Sequence, residues 1–70
     1  MYKIIKSGIK VKNYFGDKSF IGNIVSVPKN KIKNNKKDTI AVLYGVFYYK
    51  VKETKQGYKI SSKNPIIFNS

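Results

Sequence analysis

Thr39-Ile-Ala-Val-Leu-Tyr-Gly-Val-Phe-Tyr-Tyr-Lys-Val-Lys-Glu-Thr-Lys-Gln-Gly-Tyr-Lys-Ile60 carries three strand signals separated by two turn signals. β-Branched and aromatic residues dominate it, and these fit a pleated, half-buried surface. Thr39–Tyr44 is apolar on both faces, which predicts a central strand. Gly45 marks a tight turn or a bulge. Along Val46–Glu53 the side chains alternate, so Phe47, Tyr49 and Val51 share one face and Tyr48, Lys50 and Lys52 the other. Lys55-Gln56-Gly57 reads as a hairpin turn. Tyr58–Ser62 reads as the next strand.

The flanking sequence extends the same pattern. Tyr2–Lys6 predicts a short first strand, broken or bulged at Ser7-Gly8. Ile9–Tyr14 continues it, with Ile9 and Val11 on one face and Lys10 and Lys12 on the other. Gly16-Asp17 signals a turn. Phe20–Val27 is a second strand, with a bulge expected at Gly22-Asn23, and Pro28 ends it because proline cannot donate to a ladder. Residues 29–38 hold five Lys and three Asn, with Ile32 the one large apolar residue, and read as a mobile basic loop. Asn64-Pro65 turns the chain, and Ile66–Phe68 is expected at an edge beside Tyr2–Lys6. These readings predict one all-β domain over residues 1–70. Its expected form is a five- to six-stranded antiparallel barrel or rolled sheet, similar in pattern to the small Tudor and KOW barrels.

Composition narrows the chemistry. The 70 residues are 41% hydrophobic, with six Tyr and four Phe, enough for a small core. Cysteine and histidine are absent and the acids are Asp17, Asp38 and Glu53, so His- or Cys-ligated zinc and disulfides are excluded. No cofactor or metal is expected. Gly16-Asp17-Lys18-Ser19 lacks the spacing of a phosphate-binding loop and reads as a turn. Met1–Lys10 lacks the apolar run of a signal peptide, and Thr39–Tyr49, the longest uncharged stretch, is too short to span a bilayer as a helix. The expectation is an intracellular, cytoplasmic protein without a membrane partner.

Charge is the dominant feature. Fifteen lysines and no arginine against three acids give a net charge of +12. Lys, Asn, Ile, Tyr and Phe make up 42 of the 70 residues, a bias expected of AT-rich coding. Such coding favours Glu as readily as Lys, so the imbalance points instead to a polyanionic partner.

Three stretches also resemble the carboxy-terminal peptidase domain of LexA-like and phage repressor proteins. They are Ile21-Gly-Asn-Ile-Val-Ser-Val27, Asp38–Lys50 and Gly57-Tyr-Lys-Ile-Ser-Ser-Lys-Asn-Pro65. The resemblance covers about 45 residues and places Lys50 at that family's catalytic lysine. The family's Gly-Asp-Ser-Met box reads Gly16-Asp17-Lys18-Ser19-Phe20 here, with an added lysine and no methionine. The resemblance thus implies a catalytically dead relative or a mimic of that sheet.

Together these features predict a non-enzymatic β module that binds DNA or RNA with weak sequence preference, since bidentate arginine readout of guanine is lacking. Lys10, Lys12, Lys50 and Lys52 are the expected rigid platform. Tyr48 is the expected stacking ring, and Lys29, Lys31, Lys33, Lys36 and Lys37 the additional phosphate contacts. The alternative is a virus- or mobile-element-encoded effector that modulates a host protein by docking on its acidic surface. The sequence does not specify an oligomeric state.

Overall fold

The computed structural model describes residues 3–16, 18–33 and 35–69. Five strands form in chain order: β1 (Lys3–Lys12), β2 (Ser19–Val27), β3 (Thr39–Tyr44), β4 (Phe47–Thr54) and β5 (Gly57–Ile60). Each pairs with the next in antiparallel fashion, and β1 pairs with β5 to close a barrel. The closing pair is parallel, with Val11 opposite Tyr58 and Lys12 opposite Lys59. This departs from a wholly antiparallel ring for a topological reason: in an up-and-down order of five strands, the first and last run the same way.

One side chain from every strand fills the interior. Val11, Ile24, Val42, Val51 and Ile60 form one buried cluster, with Ile9, Phe20, Ile40, Tyr49 and Tyr58 packed around it. Ile24 lies directly opposite Val42, and Val51 opposite Ile60, so the ladders bring branched side chains into register at the centre. Phe47 shares the parity of Tyr49 and Val51 but lies at the barrel's end and stays exposed.

A second cluster sits on the outside of the barrel. Val25, Val27 and Ala41 face outward and are covered by Ile32 and Ile66, with Tyr48 and Phe68 packed against them. This explains why β3 is apolar on both faces: Val42 is buried inside and Ala41 beneath the outer cover. The cover forms because residues 29–33 and 65–69 run together. Pro28 leads into a 3-10 turn over Lys29–Lys31. Ile32 pairs with Phe68, the Lys33 N–H donates to the Ile67 carbonyl, and the Asn69 N–H donates to the Lys31 carbonyl. Ile66–Phe68 was expected beside Tyr2–Lys6; it lies instead against Ile32, because Ile32 and Ile66 bury their side chains on the same outer patch.

Of the two bulges expected from the sequence, the one at Ser7-Gly8 forms and the one at Gly22-Asn23 does not. β1 is one irregular strand whose register shifts between Ile4 and Lys6 and again between Lys6 and Ile9. Ser7 and Gly8 together oppose Asn23 alone, so the excess residue belongs to β1. Gly8 adopts a φ of 64° there, and its N–H donates to Asn23 Oδ1 at 3.1 Å. Gly22 serves packing instead. A Cβ on it would stand 2.7 Å from Val42 Cγ2 and 3.3 Å from the Phe20 ring. Tyr2, the expected start of the first strand, and Asp17 of the Gly16-Asp17 turn lie outside the described residues.

Candidate nucleic-acid interface

Register builds a row of cations that no single strand contains. On β5, Tyr58 and Ile60 pack toward the interior, so Lys59 between them points outward. Lys59 is paired with Lys12 of β1 on one side and with Lys52 of β4 on the other. Three ammonium-bearing side chains therefore cross three adjacent strands in line. They line a shared cleft of about 270 Å³ together with Thr54, Gln56 and Tyr58. Like charges directly opposite in a sheet are destabilising. Lys52 and Lys59 meet as such a pair, while Glu53 pairs with Tyr58 and Asp38 accepts the Lys29 backbone N–H at 2.8 Å.

The row continues along β4. Lys50 lies two residues before Lys52 on the same outward face, and its Nζ donates to Asn35 Oδ1 at 3.0 Å. Lys33 and Lys50 line a further cleft of about 190 Å³ beside the carboxy-terminal segment. Lys12, Lys59, Lys52, Lys50 and Lys33 thus form one band across the sheet and onto the loop. Lys10 also faces outward on β1, opposite Ile21. Lys29, Lys31, Lys36 and Lys37 are exposed on the loop, and the strand register brings none of them onto the row.

Tyr48 occupies the expected face but not the expected setting. Its ring is half-buried against the outer cluster and meets Phe68 edge-on, with centroids 5.9 Å apart at 82°. The reading of an outward ring standing between lysines missed the carboxy-terminal cover, which local alternation does not reveal. Lys59 was missed for a similar reason. Alternation points it outward, but its importance comes from pairing partners separated from it by 7 and 47 residues.

Ser19 and Lys50 do not form a dyad. Lys50 is level with Ala41, which is level with Val25. Ser19 lies six residues along β2 from Val25, on the order of 20 Å of extended strand. Among the described residues, no three His, Cys, Asp or Glu side chains gather where they could hold a metal ion, and no helix is long and apolar enough to cross a membrane. Comparison of the chain with protein-family models, with curated proteins and with solved structures finds no match.

Proposed function

We propose that this protein is a nucleic-acid-binding β module that seats a phosphate backbone on the band formed by Lys12, Lys59, Lys52, Lys50 and Lys33. The observation that carries this reading is the in-line pairing of Lys12, Lys59 and Lys52 across three strands. The directly opposed Lys52 and Lys59 are a like-charge pair, which is destabilising in a sheet, and phosphate oxygens neutralise it. The spacing supports the same ligand. Neighbouring strands lie about 4.8 Å apart, so the row brings three flexible cationic side chains close enough to contact successive phosphates of one chain. Lysines act as point charges toward phosphate, and the absence of arginine supports binding with weak base preference.

The test is the salt dependence of binding to a mixed-sequence oligonucleotide, followed by fluorescence anisotropy. Each phosphate neutralised contributes about −0.7 to the log–log slope on a single strand and about −0.9 on duplex DNA. Engagement of the five band lysines gives a slope near −3.5 on a single strand. Affinity indifferent to salt, or no binding at low salt, overturns the proposal.

A further inference from the structure

One end of the barrel gathers aromatic side chains that the lysine band does not use. The β1–β2 loop, the end of β3, the start of β4 and the chain leaving β5 meet there around a cleft of about 280 Å³. Tyr49 and Ile60, which also belong to the interior packing, line it, and Tyr14, Phe15 and Tyr44 join them from neighbouring segments. These last three rings stay 41%, 71% and 45% exposed. Their arrangement is interlocked: Tyr14 meets Phe15 edge-on at 4.9 Å, and Tyr44 lies 4.5 Å from Phe20 and 6.3 Å from Tyr49. Asn13 and Ser62 add polar edges, and Lys63 adds a cation.

Two of these residues connect the cleft directly to the band. Asn13 follows Lys12, and Ile60 follows Lys59, so the backbones that carry two lysines of the row run on into the lining of the cleft. Exposed ring faces, hydrogen-bonding edges and an adjacent row of cations match one ligand element: a flat heterocycle attached to a polyanionic chain.

We infer that this cleft accepts an unpaired nucleobase from a single strand whose phosphates lie on Lys63 and the lysine row. This assignment rests on the nucleic-acid reading above and adds a strand-state preference to it. A base inside a duplex is already stacked and paired, so only a single strand can deliver one to the cleft without that cost.

The test compares an oligothymidylate with a fully abasic oligodeoxynucleotide of the same length, so that phosphate number is held fixed while the bases are removed. The wild-type chain is expected to bind the oligothymidylate about tenfold more tightly at a given salt concentration. Phe15→Ala is expected to abolish most of that advantage and to leave the salt slope unchanged. Because Phe15 is largely exposed, this variant keeps the fold, as its circular dichroism spectrum will verify; Tyr44→Ala provides an independent second lesion. Equal affinity of the wild-type chain for the two probes, with a steep salt slope, overturns the base site and leaves the lysine band standing. Failure to bind either probe at low salt overturns both.

Discussion

Lys52 and Lys59 stand directly opposite each other on the outer face of the β4–β5 ladder. Like charges directly opposite each other in a sheet are destabilising, so this contact opposes folding. Lys59→Gln is therefore expected to raise the free energy of unfolding by a few tenths of a kcal/mol at low ionic strength. The same change is expected to reduce the salt slope of single-strand binding by about 0.7. Urea denaturation and anisotropy titrations measure the two effects separately. A variant that loses stability and keeps its salt slope would count against the row as an anion seat. Lys55→Gln, in the β4–β5 turn outside the row, is the control and should leave the slope unchanged.

Gly22 is held small by Val42. The 2.7 Å approach to Val42 Cγ2 and the 3.3 Å approach to the Phe20 ring leave no room for a methyl group. Both neighbours belong to the interior packing, so Gly22→Ala forces them apart and is expected to cost about 1–3 kcal/mol. Residues in contact couple, so the Gly22→Ala/Val42→Ala double variant should lose less than the sum of the two single losses. Additive losses in chemical denaturation would show that the alanine is accommodated without displacing Val42.

The sequence revealed the barrel more fully than its covering. Alternation alone points Val11, Val51 and Ile60 inward and Lys10, Lys12, Lys50 and Lys52 outward, because a strand has only two faces. The double-sided apolar character of Thr39–Tyr44 also reads correctly as central. What alternation cannot supply is contact between distant segments. Ile32 and Ile66 are 34 residues apart, no period links them, and their shared burial is what half-covers Tyr48. Lys59 has the same explanation: its outward direction is local, while its neighbours Lys12 and Lys52 are set by closure. Of the two bulge signals, Ser7-Gly8 is realised and Gly22-Asn23 is not, because the two face each other across one ladder. Either side could absorb the mismatch until packing against Val42 and the Gly8–Asn23 hydrogen bond decide it.

The outer cluster makes the carboxy-terminal segment part of the fold. Ile66 and Ile32 are both buried in it. Ile66→Ala is expected to cost about 2–4 kcal/mol, and Ile32→Ala a similar amount. The double variant should cost clearly less than the sum, since both truncations enlarge one site. Phe68→Ala, which removes the edge-on partner of Tyr48, is expected to cost about 2 kcal/mol. Equilibrium denaturation measures all four. Losses under about 0.5 kcal/mol, the range of ordinary surface changes, would mean that the segment does not cover the barrel in solution.

Lys6 lies six residues before Lys12 on β1 and has a different role. Its Nζ sits 5.2 Å from the centroid of the Tyr58 ring. A hydrogen bond to Tyr58, reinforced by the negative charge of that group when ionised and by Glu53, raises its pKa above the ordinary 10.5. A pKa raised by folding means that the protonated form is bound more tightly in the folded chain. The associated stability is therefore present below 10.5 and disappears as the pH rises through the elevated value. Tyr58→Phe keeps the ring packed against the interior but deletes the hydroxyl, so the Lys6 midpoint should fall toward 10.5. An NMR titration of the Lys6 side chain in the two proteins provides the measurement. A midpoint unchanged by Tyr58→Phe would assign the shift to the ring face or to Glu53 instead of the hydroxyl.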